Sequence, residues 1–168
     1  MKLYLIRHAE AQQLSARNDF TDEKRPLTKE GRSRMERAAK GLLRMGVQPA
    51  LIMTSPLIRA VETAEIVATR LGIEGRDIVR CDALSPGASV DALFEEIKRR
   101  GDQPTALIGH EPNLSIFVSS VLGSEATLPL DFKKGGACCL EVTETVPSIR
   151  GVLVWLLTLR QLRMLGKT

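Results

Sequence analysis

At 168 residues, 43% of them hydrophobic and 26% charged, the chain has the composition of an ordinary globular protein, and we expect residues 1–168 to form a single domain. The net charge of +4 arises from 24 basic and 20 acidic residues spread along the chain, and only residues 160–167 are locally basic. With 4% aromatic residues available for base stacking, a nucleic-acid-binding surface is not expected. The longest apolar run, residues 151–157, is too short to span a membrane.

The cysteines and the N-terminal residues indicate the cellular compartment in which the protein is expected. Cys81 and the adjacent Cys138 and Cys139 are an odd number without a C-x-x-C pair, which argues against a disulfide framework or a thiolate metal site. The apolar run at the N-terminus is too short for a signal peptide. We therefore expect a cytoplasmic protein.

Short apolar runs alternate with amphipathic stretches along the chain. In chain order the pattern predicts a strand at residues 2–6, a helix over 28–45, a strand at 50–53, a helix opening at Ser55-Pro56, a strand at 78–80, a helix from Ser89, a strand at 105–108, a helix over 111–122, and closing strands at 137–142 and 152–159. The last of these could also be a buried helix. Ser55 is the expected N-cap of its helix, with Pro56 at the first helical position. Alternation of strands and helices predicts an α/β fold with a mostly parallel sheet covered by helices on both faces.

Both histidines of the chain directly follow predicted strands. His8 follows the first strand as Arg7-His8, and His110 follows the fourth. Arg59 lies one turn inside the helix after the second strand, where its side chain can lean back toward the same edge of the sheet. Ligands of open α/β sheets bind at the carboxyl ends of the strands. Two imidazoles and two guanidiniums at one edge predict a cationic pocket suited to a dianion.

Each of these residues alone has a simpler interpretation. A lone histidine after a strand is more often a hydrogen-bonded surface or core residue than a catalyst. Arg59 near a helix N-terminus is unfavourably placed in the helix dipole, and a bound anion would offset that cost. Their coincidence at one sheet edge favours the functional interpretation.

Four segments carry a resemblance to a known family. Residues 5–10 read LIRHAE, residues 55–64 read SPLIRAVETA, residues 109–110 read GH, and residues 26–31 read PLTKEG. In this order they resemble the R-H-G/A-E/D, S-P-x-x-R-A-x-x-T-A, G-H and P-L-T-x-x-G segments of the histidine phosphatase superfamily, which has the phosphoglycerate-mutase-like fold. The short chain and the segment at residues 25–28 are most similar to compact phosphohistidine phosphatases of the SixA type.

The resemblance implies a phosphatase with His8 as its nucleophile. Arg7, Arg59 and His110 would bind the phosphoryl group, and Arg25 could reach in from its loop. Nearby guanidiniums should keep His8 neutral, as a nucleophile must be, because like charges lower the pKa of an imidazole. Their forked hydrogen bonds suit phosphoryl oxygens, so phosphate or sulfate could occupy the site. No metal or cofactor is expected.

One departure from the family concerns the proton donor. Larger members carry a general-acid carboxylate in the loop after the third strand, but here residues 84–89 read LSPGAS. An alkoxide leaving group needs such an acid, whereas the imidazole of phosphohistidine needs far less help. The loop therefore favours an N-phosphoryl substrate on a partner protein, and Glu10 and Asp91 are the fallback proton donors.

Two other functions remain open at this point. The chain could be a small-metabolite phosphomonoesterase or mutase on the same fold, although it has little room for the segments with which a mutase encloses its substrate. It could also be a phosphoprotein-binding module without turnover, although a pure binder would have no need of the nucleophile His8.

Overall fold

The computed structural model describes residues 1–15, 21–145 and 148–167. Its strands are β1 (Lys2–Arg7), β2 (Leu51–Thr54), β3 (Ile78–Arg80), β4 (Thr105–Gly109), β5 (Ala137–Glu144) and β6 (Arg150–Leu157). Its α-helices are α1 (Lys29–Arg44), α2 (Ile58–Leu71), α3 (Val90–Arg100), α4 (Asn113–Val121) and α5 (Leu159–Leu165). Short 3₁₀ turns lie at Asp22–Lys24, Gly75–Asp77 and Asp82–Leu84.

The strands form a six-stranded sheet in the order β3-β2-β4-β1-β5-β6. The first four strands in this order are mutually parallel, and β5 and β6 extend the sheet in antiparallel pairing. β1 and β4 are direct neighbours, with Arg7 paired to Gly109 at their carboxyl ends. The predicted α/β class with a mostly parallel sheet is confirmed.

Helices cover both faces of this sheet, as predicted. One core cluster joins α1, α2 and α5 to residues such as Ile6 and Cys139, and the other joins α3 and α4 to residues such as Leu5 and Cys138. Successive strand residues contribute to opposite clusters because side chains alternate along a strand. The adjacent cysteines of β5 are accordingly both buried, one on each face.

The helix starts show where local sequence signals were reliable. Thr28 caps α1 by accepting a hydrogen bond from the backbone N–H of Gly31 at 2.8 Å, and Ser89 caps α3 in the same way from Ala92 at 3.1 Å. The prediction that α2 opens at Ser55-Pro56 was wrong, because the helix begins at Ile58. The Ser55 hydroxyl instead accepts from the N–H of Leu57 at 3.3 Å and contacts His110 at 2.8 Å, so it holds a turn before the helix.

The C-terminal part also differs from the prediction. The strand expected over residues 152–159 is β6, which ends at Leu157, and it is followed by α5, a helix that the pattern did not indicate. Thr158 and Gln161 form a capping box at the N-terminus of α5. The locally basic C-terminal stretch therefore begins on a helix that packs against α1. None of the helices in the described part of the chain is long and apolar enough to cross a membrane.

Candidate active site

The two histidines meet at the carboxyl edge of the sheet because they end neighbouring parallel strands. The backbone N–H of His8 donates to the carbonyl oxygen of Gly109 at 3.1 Å, which continues the pairing of β1 with β4 by one residue. The ring centroids of His8 and His110 lie 4.9 Å apart. Both side chains are buried, with 6% and 3% of their surface exposed.

His8 is held in one tautomer by its own loop. Its Nδ1 lies 2.7 Å from the carbonyl oxygen of Ala9. A carbonyl only accepts hydrogen bonds, so Nδ1 carries the proton and the lone pair lies on Nε2. Burial lowers the pKa of His8 to about 4. The hydrogen bond that Nδ1 donates to the Ala9 carbonyl raises this pKa, whereas the positive charges of Arg59, Arg7 and Lys134 lower it further. The imidazole is therefore neutral at physiological pH, with a free lone pair on Nε2.

His110 is held by the residue that follows β2. Its Nε2 lies 2.8 Å from the Ser55 hydroxyl. Burial lowers the pKa of His110 to about 3, with further contributions from His8 and Arg59. A neutral His110 beside a neutral His8 avoids the repulsion that two imidazolium rings at this separation would cause.

The arginines converge on the same place, and one carboxylate holds two of them. Arg59, 4% exposed, donates through one nitrogen to the backbone oxygen of Asp22 at 2.7 Å and through another to its carboxylate at 3.2 Å. Arg25 contacts the other carboxylate oxygen of Asp22 at 2.8 Å. These cations lower the pKa of Asp22, against the opposing effect of its desolvation. An anion thus offsets the unfavourable position of Arg59 at the start of α2, and it comes from the chain itself.

These residues enclose a cavity of about 270 Å³. It is lined by Arg7, His8, Ala11, Asp22, Arg25, Arg59, Pro86, His110, Glu111 and Lys134. Five buried side-chain nitrogens have no hydrogen-bond partner within the described residues, and four of them belong to residues that line this cavity: Nε of Arg7, Arg25 and Arg59, and Nδ1 of His110. Buried donors without partners are costly and usually mark a place where a ligand or water binds. The cavity is therefore suited to an oxyanion.

The loop that carries His8 is fixed from two sides. Thr63 of α2 accepts a hydrogen bond from the N–H of Ala9 at 3.1 Å and donates to the carbonyl of Arg59 at 2.6 Å. On the other side, the N–H of Thr28 donates to the carbonyl of Glu10 at 2.9 Å. Gly31 packs so closely on that carbonyl that a Cβ at this position would collide with it. The threonines and the glycine of the motifs therefore position the loop that carries His8 without lining the cavity.

The structure brings together five of the seven predicted site residues. Arg7, His8, Arg25, Arg59 and His110 line the cavity, whereas Glu10 and Asp91 do not. Glu10 pairs with Arg34 at 3.0 Å, and Asp91 is an exposed residue in the first turn of α3.

Sequence reasoning missed three charged residues that line the cavity: Asp22, Glu111 and Lys134. Glu111 directly follows His110 in the sequence, and this position next to a predicted site residue could have indicated that Glu111 lines the cavity. Its carboxylate accepts from the backbone N–H of Ser115 at 3.1 Å and from the Ser115 hydroxyl at 2.6 Å. Asp22 and Lys134 carried no local signal, since only the tertiary fold brings them to the site.

Comparison with known proteins agrees with this geometry. The family model of the histidine phosphatase superfamily (branch 1) matches residues 3–85. An uncharacterised protein of Picosynechococcus sp. is 33% identical over 141 residues, which cover 81% of this chain and 82% of that protein. The chain belongs to the histidine phosphatase superfamily.

Two further relatives have described functions. The structure of the protein histidine phosphatase SixA complexed with tungstate superposes with a TM-score of 0.83 at 22% identity, covering 96% of this chain and 99% of that one. This likeness shows the fold. The mitochondrial serine/threonine-protein phosphatase Pgam5 of Drosophila persimilis is 31% identical over 88 residues, which are 52% of this chain and 29% of that protein. Membership of the histidine phosphatase superfamily supports phosphatase activity.

Proposed function

We propose that the chain is a metal-independent phosphohistidine phosphatase that removes a phosphoryl group from a histidine of another protein through a covalent intermediate on His8. The observation that carries the proposal is the state of His8: a neutral imidazole with its proton on Nδ1 and its Nε2 lone pair free, in a cavity lined by arginines. The likeness of the fold to SixA, a protein histidine phosphatase whose structure holds the oxyanion tungstate, supports it.

The first step forms one bond to phosphorus and breaks another. Nε2 of His8 attacks the phosphorus atom, and the bond from phosphorus to the substrate imidazole nitrogen breaks, with the electron pair leaving on that nitrogen. Arg7, Arg25 and Arg59 hold the phosphoryl oxygens by charge-assisted hydrogen bonds and offset their charge during the transfer. The phosphoryl group binds where the Asp22 carboxylate now lies, so Asp22 must release the guanidiniums as substrate enters.

In the second step water attacks the phosphorus atom of phosphorylated His8. The bond between phosphorus and Nε2 breaks, inorganic phosphate leaves, and His8 returns to its neutral form. The hydrogen atoms of water end on the phosphate and on the released substrate imidazole, so the sum is phosphohistidine plus water to histidine plus phosphate. The hydrogen bond from Nδ1 to Ala9 keeps the ring in place and supports the positive charge that forms on it in the intermediate.

The leaving group decides the substrate class. No carboxylate lies in residues 84–89, and neither Glu10 nor Asp91 lines the cavity. Among the described residues, two carboxylates line the cavity. The arginines lower the pKa of Asp22, so it is ionised and has no proton to donate, and the carboxylate of Glu111 is engaged by Ser115. A substrate whose leaving group needs little protonation suits this arrangement better than an alkyl phosphate ester does.

Trapping the intermediate tests the nucleophile. Because the chain has only two histidines, label from ³²P-phosphoramidate that is recovered as phosphohistidine must lie on His8 or His110. We expect label on the wild type and on His110→Ala, and neither label nor turnover on His8→Ala. Circular dichroism serves as the control for folding. Substantial turnover by His8→Ala would disprove the assignment.

A substrate panel tests the substrate class. We expect kcat/KM to be highest for a phosphohistidine peptide, lower for p-nitrophenyl phosphate and very low for glucose 6-phosphate. Binding without turnover of any of the three would instead identify a phosphoprotein-binding module. Equal or faster turnover of the sugar phosphate would identify a metabolite phosphatase.

A further inference from the structure

A second depression lies directly beside the catalytic cavity. It measures about 510 Å³, compared with about 270 Å³ for the cavity, and the two share Arg7 and Lys134 as lining residues. Its other lining residues are Glu10, Arg34, Lys133, Thr158, Leu159, Arg160 and Arg163, and we call the whole depression the basic groove. The basic groove therefore extends the catalytic cavity on the side of Arg7 and Lys134, away from His8.

The basic groove gathers cations from segments that are far apart in the sequence. Arg34 lies on α1, Lys133 and Lys134 precede β5, and Arg160 and Arg163 lie on α5. The locally basic C-terminal stretch, which looked isolated in the sequence, is thus folded against the entrance of the active site.

Most of this positive charge is not neutralised by the chain. Arg34 pairs with Glu10, the one carboxylate among the described lining residues, and Lys133 pairs with Asp131 at 2.8 Å. Arg7, Lys134, Arg160 and Arg163 form no ion pair within residues 1–15, 21–145 and 148–167. The fifth partnerless buried nitrogen, Nε of Arg163, also lies here.

We infer that the basic groove binds an acidic protein surface next to the phosphohistidine of the substrate. This inference rests on the proposed phosphohistidine phosphatase function and adds how the partner protein is selected. A small phosphoramidate fits within the catalytic cavity and does not need the groove, whereas a histidine displayed on a protein brings neighbouring residues across it. Acidic neighbours match its charge. The described lining residues include no aromatic side chain, so base stacking with a nucleic acid is not provided.

Two phosphohistidine peptides of equal length test the inference, one with four glutamates around the phosphohistidine and the other with four glutamines. We expect the wild type to have a kcat/KM about three- to tenfold higher for the glutamate peptide at low salt, because exposed ion pairs each contribute little but several act together. The preference should fall toward one in 0.5 M NaCl, since salt screens exposed charges.

Arg160→Glu is the matched variant. Arg160 is exposed and does not line the catalytic cavity, and an acidic residue in the first turn of α5 suits the helix dipole. We expect it to lose the preference for the glutamate peptide while its rate with phosphoramidate, which also reports folding, stays unchanged. The control is Arg76→Glu, an exposed arginine in the turn before β3, at the opposite edge of the sheet.

The outcomes separate the two proposals. If the wild type hydrolyses both peptides equally well, or if Arg160→Glu keeps the preference, the groove inference is wrong and the proposed function stands. If Arg160→Glu slows phosphoramidate as much as the glutamate peptide, the groove belongs to the phosphoryl site and the inference is again wrong. If the wild type hydrolyses neither peptide, both proposals fail together.

Discussion

Replacing Arg59 by lysine keeps the charge but removes the fork of the guanidinium. In the structure one nitrogen of Arg59 donates to the backbone oxygen of Asp22 at 2.7 Å and another donates to its carboxylate at 3.2 Å, while Nε has no partner among the described residues. When the carboxylate is displaced, Nε and the nitrogen that held the carboxylate are available to two phosphoryl oxygens. Lysine has a single nitrogen, so one of these charge-assisted contacts is lost in a site where the side chain is 4% exposed. The loss should cost about 2–4 kcal/mol of transition-state stabilisation, or roughly 30- to 1000-fold in rate.

The assay is kcat/KM for p-nitrophenyl phosphate, measured for Arg59→Lys beside the wild type. Arg76→Lys, a substitution of the same type at an exposed position far from the site, is the control and should be unchanged. The thermal unfolding midpoint should show that Arg59→Lys is folded at the assay temperature. A value of kcat/KM within threefold of the wild type, in a folded variant, would refute the role of Arg59 in holding the phosphoryl group.

Four further results are expected. Since the pKa values of His8 and His110 are lowered to about 4 and about 3, neither C2–H resonance in the ¹H NMR spectrum should titrate between pH 5.5 and 8, and a midpoint near 6.5 for either would contradict the burial argument. The unfolded state then binds more protons below pH 6.5, so the free energy of unfolding should fall as the pH drops from 6.5 toward 4. Asp22→Asn should let inorganic phosphate inhibit about three- to tenfold more tightly, because the carboxylate no longer competes for Arg59; unchanged or weaker inhibition would show that it does not compete. Glu111→Gln should keep at least half of the wild-type kcat with phosphoramidate, and a loss beyond tenfold would identify Glu111 as a proton donor.

The sequence alone was sufficient to predict that His8, Arg59 and His110 lie together at one edge of the sheet, because their positions follow from local rules. His8 and His110 directly follow strands whose apolar runs are easy to recognise, and parallel strands bring their carboxyl ends to one edge. Arg59 could be placed because a side chain in the first turn of a helix leans toward the helix start. The predicted class of fold was correct for the same reason.

Other features depend on contacts that the sequence does not display. Asp22 reaches Arg59 across 37 residues, and nothing in its neighbours indicates that pairing. Ser55 looked like a helix cap, but its hydroxyl contacts His110, so a tertiary contact overrode the local preference. The helix α5 has only seven residues, too few for a clear apolar period, and only its first residue, Leu159, fell within a predicted element, the strand over residues 152–159.

The separation of the two imidazoles is set by the backbone of the sheet. Arg7 of β1 is paired with Gly109 of β4, so His8 and His110 each lie one residue beyond this pair. The distance of 4.9 Å between their ring centroids matches the spacing of about 4.8 Å between hydrogen-bonded strands. Replacing side chains along β1 or β4 leaves this spacing unchanged. Inserting or deleting one residue in either strand would instead turn one histidine to the opposite face of the sheet. The site can therefore survive wide divergence in sequence, but not a change of one residue in the length of these two strands.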